Sequence, residues 1–85
     1  MENTVKIVLI EAALNAKVEK TTAGYKFPVV YTLQDGRKIE ASQGSRLQRD
    51  AKSKLAALPR EPQGMSAMFS DDGEYWGIQQ VFSLI

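Results

Sequence analysis

The fold is decided by residues 25–41, which read YKFPVVYTLQDGRKIEA. Every second side chain before the Asp-Gly pair is apolar, so the stretch predicts a strand over residues 25–33 with one buried face. A three-residue loop that holds Gly36 in the left-handed conformation sets Tyr31 opposite Ile39 on the next strand, whereas a two-residue loop sets it beside a glutamate. We therefore expect the three-residue loop and an antiparallel hairpin.

The segment before this hairpin is less clearly patterned. Residues 4–14 have apolar side chains in both alternating sets, which is typical of a central strand buried on both faces. Residues 11–17 also contain good helix formers, so a short helical turn competes there. Residues 18–22 are either the second arm of a hairpin or the continuation of a long bent strand. Because Pro28 cannot donate to a sheet ladder, its strand is expected at an edge or with a bulge.

A single amphipathic helix follows the first hairpin. Ser45 with Gln48 three residues later matches a capping box, and Pro59 marks the end of the helix predicted over residues 45–58. Four apolar side chains lie on one side of this helix at about 100° per residue and form its predicted buried stripe. They are Leu47, Ala51, Leu55 and Leu58.

A second hairpin is predicted after the helix. Alternating apolar residues form one face of a strand over residues 65–69, and the last strand carries a matching apolar face. A two-residue turn between them sets Phe69 opposite Trp76, so the two Asp-Gly turns are expected to differ in geometry. The phenylalanines are expected in the core: Phe27, Phe69 and Phe82.

These elements predict an α+β domain, one compact unit over residues 1–85. Its mostly antiparallel sheet has four to five strands and packs against the amphipathic helix. If the first segment is one long bent strand, the order becomes three strands, a helix and two strands. That is the order of a small Greek-key barrel of the oligonucleotide-binding (OB) type, which is the alternative architecture.

Composition excludes several kinds of chemistry. The 85-residue chain contains neither cysteine nor histidine, so disulfides, a thiol nucleophile and a catalytic imidazole are excluded. No glycine-rich phosphate loop occurs in the sequence. We expect no enzymatic activity, no cofactor and no bound metal.

The apolar stretch near the start is too short to cross a membrane. Residues 5–14 are interrupted by Lys6 and Glu11 and fall short of the ~20 residues that a membrane helix needs. Glu2 stands where a secretory signal would be basic. The lack of cysteine agrees with a reducing compartment, so a cytoplasmic location and no membrane partner are expected.

Charge is distributed unevenly along the chain. Residues 37–60 contain seven basic and two acidic residues, whereas residues 61–85 contain four acidic residues and no basic one. The basic block is a candidate surface for phosphate groups. Its alternative explanation is a solvated helix face whose charges pair along the helix.

Two groups of residues are candidate partner-binding sites. An acidic turn stands next to a tryptophan, and an aromatic side chain beside charges is typical of protein-interface anchors. The basic block would instead contact the phosphates of a nucleic acid, with Tyr25 or Tyr31 stacking on its bases. The candidate residues are Tyr25, Lys26, Arg37, Lys38, Arg46, Arg49, Lys52, Asp71, Asp72 and Trp76.

The leading expectation is a small non-enzymatic interaction protein, an inhibitor or regulator that binds a larger protein. One alternative is a nucleic-acid-binding domain with phosphate contacts from residues 37–54. Another is the structural subunit of a homo-oligomer that exposes the strand containing Pro28. The first two readings both depend on the uneven distribution of charge.

Overall fold

The computed structural model describes residues 3–80, so the predicted core position Phe82 lies outside the described residues. Six strands and one helix form an α+β arrangement in this part of the chain, which confirms the predicted fold class. In chain order they are β1 (Asn3–Ala12), β2 (Glu19–Thr21), β3 (Gly24–Leu33), β4 (Lys38–Ser45), α1 (Gln48–Ala56), β5 (Met65–Phe69) and β6 (Tyr75–Gln80).

The strands form one antiparallel sheet in which β3 and β1 are central. β1 pairs with β3 on one side and with β5 on the other, and β6 pairs with β5. β4 lies along the other edge of β3. This order of connections, with the helix between β4 and β5, agrees with the order considered for the OB-type barrel. Within residues 3–80, however, the sheet is not closed, because β4 and β6 do not pair.

β1 and β2 lie end to end along the same edge of β3. β1 pairs with residues 29–33 and β2 pairs with residues 24–26, so β2 continues the line of β1 after the loop 13–18. β2 also forms a tight hairpin with β3, and the structure therefore combines the two arrangements that the sequence left open. The helical turn that competed in residues 11–17 does not form. The backbone instead turns at Asn15, which has a φ of 60°.

A bulge in β1 explains why both of its faces appear apolar in the sequence. The register against β3 shifts between Ile7 and Leu9, so the buried side changes from one alternating set to the other. Ile7 and Ile10 are both fully buried although they are three positions apart. Val8 is 36% exposed. The strand is central as predicted, but the prediction that it is buried on both faces is wrong.

β3 is an internal strand although it contains Pro28. The carbonyl of Pro28 accepts a hydrogen bond from the Ala13 N–H at 3.2 Å, so the peptide groups of Pro28 face the edge shared by β1 and β2. The missing N–H therefore points towards the loop 13–18, where the ladder is interrupted. Both predicted alternatives, an edge strand and a bulge at Pro28, are wrong, because β3 is internal, its register with β4 is continuous through Pro28, and the proline faces a local gap between β1 and β2.

The two Asp-Gly turns have the same geometry. In each turn, the residue before the loop is Leu33 or Ser70, and its N–H donates to the carbonyl four residues later. The carbonyl of the same residue accepts a hydrogen bond from the N–H of the glycine. Gly36 has a φ of 95° and Gly73 a φ of 88°, the left-handed region that glycine adopts without strain. The register of Tyr31 against Ile39 confirms the three-residue loop predicted for the first turn. The two-residue loop predicted for the second turn is wrong.

The geometry of the second turn moves Trp76 out of the core. Phe69 pairs with Tyr75, the register then shifts, and Ala67 pairs with Ile78. Trp76 is the extra residue of this bulge and is 56% exposed. Phe69 is 7% exposed and contacts the ring of Tyr75 edge-on, with 6.0 Å between the ring centroids. The predicted opposition of Phe69 and Trp76 is therefore wrong.

The helix α1 is shorter than predicted. β4 continues to Ser45, so this residue does not cap the helix, and no side-chain hydrogen bond caps the first turn. Leu47, a predicted member of the buried stripe, is 53% exposed. Ala51 is fully buried, and Leu55 and Leu58 pack against the core as predicted. Within residues 3–80, no helix has both the length and the hydropathy needed to cross a membrane.

The core is formed by inward-facing residues of β1, β3 and β5 together with Ala51 of α1. Phe27 and Phe69 belong to it, as predicted from the sequence. Two hydrogen bonds between the backbones of Ile10 and Arg60, at 2.9 and 3.0 Å, join the segment after α1 to β1. The buried hydrophobic residues of the core are Ile7, Ile10, Phe27, Val29, Tyr31, Leu33, Ala51, Met65, Ala67 and Phe69.

Candidate functional surfaces

The fold separates the predicted candidate residues into two groups at opposite ends of β3. This strand has ten residues and spans about 30 Å at ~3.3 Å per residue. Tyr25 and Lys26 lie at its start, whereas Arg37 and Lys38 follow its end. The basic block of residues 37–60 is therefore not one continuous surface.

The first group forms a basic surface where β3 begins. Tyr25 pairs with Ser45, and a Cβ added to Gly24 would lie 2.9 Å from the Cα of Arg46, so the residues after β4 touch the start of β3. Lys20 lies opposite Tyr25 in the β2–β3 ladder. The cations at this place are all exposed. We name the surface the basic end and define it by Lys20, Lys26, Arg46, Arg49 and Lys52.

Most cations of the basic end have no carboxylate partner in residues 3–80. Arg49 Nε lies 3.6 Å from Asp50 Oδ1, and both side chains are largely exposed. The pairing of Asp50 with Arg46 and Lys54, expected from their four-residue spacing, is not formed in this part of the chain. Lys54 Nζ instead donates to the Gly44 carbonyl at 3.0 Å. Pairing along the helix therefore explains fewer of these charges than expected.

The two tyrosines considered for base stacking are in different environments. Tyr25 is half-buried at the basic end, where its inner part packs against the core. Tyr31 is 4% exposed, and its hydroxyl accepts a hydrogen bond from Gln43 Nε2 at 3.2 Å. Tyr31 is thus a core residue, and its predicted role in stacking is wrong.

Arg37 is engaged in contacts at the other end of β3. Its guanidinium lies over the ring of Phe69, 4.3 Å from the centroid, and Nε donates to Asp35 Oδ2 at 2.8 Å. The Arg37 backbone N–H also donates to Asp35 Oδ1, and this bond is the first cause that lowers the pKa of Asp35 below its ordinary value of 3.8. Arg37 therefore joins the first Asp-Gly turn to the end of β5.

The second group is an acidic turn with exposed aromatic residues beside it. We name it the acidic turn and define it by Asp71, Asp72 and Glu74. The Ser70 hydroxyl donates to the Asp72 carboxylate and lowers the pKa of Asp72 below 3.8, so this group is charged at neutral pH. Tyr75 is 38% exposed and Trp76 is 56% exposed. The arrangement presents an aromatic anchor next to negative charge.

Two further features of the described residues concern metal binding and positive charge. Within residues 3–80, no group of three or more acidic side chains converges on a point that could hold a metal ion. A cavity of about 450 Å³ lies between β4, α1 and β6, lined by polar side chains that include Lys54 and Arg60. These two cations extend the positive charge beyond the basic end.

Lys20 is a member of the basic end that the sequence did not predict. Its position depends on the pairing of β2 with β3, which the ambiguous pattern of residues 11–22 left open. A two-residue turn at Thr22 and Ala23 sets Lys20 opposite Tyr25. Recognising this turn in the sequence would have identified Lys20 as a neighbour of Tyr25.

Comparisons with known proteins do not add a relative. No protein-family model, curated protein or solved structure matches the chain. The basic end and the acidic turn are therefore the observations on which a function can be based.

Proposed function

We propose that the chain is a small, non-enzymatic cytoplasmic protein that binds a nucleic-acid strand through its basic end. The observation that supports this proposal is that exposed cations from three separate segments lie around the start of β3. Lys20 comes from β2, Lys26 from β3, and Arg46 from the residues between β4 and α1. α1, which begins two residues after Arg46, adds Arg49 and Lys52.

Phosphate binding explains these charges better than pairing within the chain does. Their ion pairing in residues 3–80 is limited to the exposed contact of Arg49 with Asp50, and such contacts contribute only ~0.2–1 kcal/mol. Glu19 lies opposite Lys26 and offsets part of its charge. The remaining positive charge would release counterions from a phosphate backbone, which is the main source of sequence-independent nucleic-acid affinity.

Tyr25 gives the basic end a ring that can contact an unpaired base. It is half-buried, so its orientation is fixed by core packing while part of the ring stays accessible. Stacking of a base on an aromatic side chain contributes about 1–3 kcal/mol. The order of the strands, which agrees with that of OB-type barrels, adds support by analogy. We therefore propose a single strand as the preferred ligand.

The test is fluorescence anisotropy with a labelled oligo-dT probe at ~50 mM salt. At this salt concentration, counterion release makes the affinity roughly eightfold higher for each phosphate contact than it is at 1 M salt. The triple variant Arg46→Ala, Arg49→Ala, Lys52→Ala should lose two to three orders of magnitude in affinity. The matched control is Lys6→Ala with Lys38→Ala, which removes exposed cations outside the basic end and should bind like the wild type. Equal binding by the triple variant, or no binding by the wild type, would refute the proposal.

A second function, the binding of a protein partner, is favoured by the exposure of Trp76. We propose that a basic protein surface docks on the acidic turn and covers this side chain, as an inhibitor or regulator of a larger protein would require. Trp76 is the only tryptophan of the chain, so its emission reports the contact directly. A lysine- and leucine-rich peptide should shift this emission to shorter wavelength. The shift should be absent with Asp72→Asn and Glu74→Gln combined, and an identical shift in that variant would contradict the proposal.

A further inference from the structure

Exposed apolar side chains accompany both charged surfaces. In residues 3–80, large exposed apolar side chains are few, and Leu47 at the basic end and Trp76 beside the acidic turn are two of them. Leu47 forms a shallow pocket of about 450 Å³ together with Ser45, Arg46 and Asp50. The Asp50 carboxylate in this pocket is in contact with Arg49. The basic end therefore combines positive charge with the exposed Leu47, and the acidic turn combines negative charge with the exposed Trp76.

The two surfaces are complementary to each other. The acidic turn and Trp76 carry negative charge and an aromatic ring, whereas the pocket at Leu47 combines one exposed apolar side chain with the cation of Arg46, and Arg49 lies against its Asp50. Charged and apolar groups arranged in this way are typical of specific protein contacts. The pocket lies near the start of β3, whereas the acidic turn follows Phe69, which Arg37 contacts near the end of β3, so the two surfaces stand apart within one molecule.

We infer that a second copy of this chain is the partner of the acidic turn, and that its pocket at Leu47 receives Trp76. This inference rests on the second function proposed above. Because the contact joins unlike surfaces, two copies can exchange it reciprocally in a two-fold dimer, or each copy can use its acidic turn on one neighbour and its basic end on another, which gives a chain or a ring.

The size of the molecule sets the expected strength of this contact. The accessible surface is 6255 Å², and a contact that covers about a tenth of it buries roughly 600 Å² per copy. Contacts of this size are typically weak and transient. Association should therefore depend on concentration between ~10 μM and ~1 mM, and it should weaken with salt because its ion pairs are exposed.

The experiment is sedimentation equilibrium at low salt with two variants that each remove one surface. Trp76→Ser removes the anchor, and Arg46→Ala with Arg49→Ala removes the cations around the pocket. The average mass of the wild type should rise with concentration to that of a dimer or beyond, and each variant alone should stay monomeric. An equimolar mixture of the two variants should form dimers and nothing larger, because only one complementary pair of surfaces remains.

Two results would overturn the inference: a wild type that stays monomeric to ~1 mM, or a mixture of the two variants that does not associate. These results are separable from the proposed functions. If the wild type does not associate with itself but its Trp76 emission still responds to the basic peptide, the inference fails and the second function stands. Oligonucleotide binding by Trp76→Ser tests the first function independently, because this variant keeps the whole basic end.

Discussion

Replacing Gly44 by alanine should separate β4 from β3 next to the basic end. A Cβ at this position would lie 2.2 Å from the carbonyl oxygen of Tyr25 and 3.1 Å from the Cα of Lys26. Both atoms belong to the backbone of β3, so no side-chain rotation relieves the contact. The strands must move apart, and the Lys54 bond to the Gly44 carbonyl is weakened as well.

The expected cost is about 3 kcal/mol. Overpacking of this kind costs ~1–3 kcal/mol, and each ladder hydrogen bond that is lost adds about 1 kcal/mol. For a domain of this size, each kcal/mol lowers the melting temperature by roughly 4–8 °C, so Gly44→Ala should lower it by about 12–24 °C. The oligonucleotide affinity of the folded variant should also fall, because the strand movement displaces Arg46 relative to Tyr25.

Gly77→Ala is the matched control. A Cβ there would meet only the mobile end of the Met68 side chain, at 3.4 Å, so its effect should stay within ~0.5 kcal/mol. Urea unfolding followed by circular dichroism measures both variants, with an unchanged m-value as the check that the transition is comparable. If Gly44→Ala unfolds at the same urea concentration as the control, the close approach of β4 to β3 at this position is refuted.

Three further predictions follow from the described contacts. Tyr25→Leu, which keeps the apolar packing, should lower oligo-dT affinity about tenfold in the anisotropy assay, and an unchanged affinity would exclude stacking. Arg37→Ala should destabilise the fold by about 0.5–1 kcal/mol in urea unfolding through loss of the contact over Phe69, with no effect on oligonucleotide binding. The carboxyl of Asp35 should titrate below 3.8 by carbon NMR, so its stabilising effect is present above that pH and lost as the pH falls through the folded-state pKa. Because the backbone N–H is its first cause, the lowered pKa should persist in Arg37→Ala, and a return to 3.8 would contradict this assignment.

The parts of the fold that could be predicted from the sequence depend on local alternation and on one turn. The period of two in β3 and the choice of loop at Gly36 both follow from keeping apolar side chains on one face, and the register of Tyr31 against Ile39 agrees. The same reasoning failed at β1. A bulge between Ile7 and Leu9 adds one residue and reverses the faces, and no residue type in the sequence marks it.

Alternation of apolar residues also failed to predict parts of the candidate site. At the second turn, a two-residue loop satisfied the apolar pattern equally well, so the bulge that exposes Trp76 was not predictable from alternation alone. The sequence identified both charged surfaces, but it grouped Arg37 with Arg46 because they share a block along the chain. Only the length and direction of β3 show that they lie far apart.

The salt dependence of oligonucleotide binding tests the central claim most directly. Five contacts from the basic end should give a slope of about −3.5 in a plot of log affinity against log salt, so affinity should fall roughly 100-fold between 50 and 200 mM. The triple variant Arg46→Ala, Arg49→Ala, Lys52→Ala retains two contacts and should give a slope near −1.4. A slope near zero for the wild type, or the same slope for both proteins, would contradict nucleic-acid binding by the basic end.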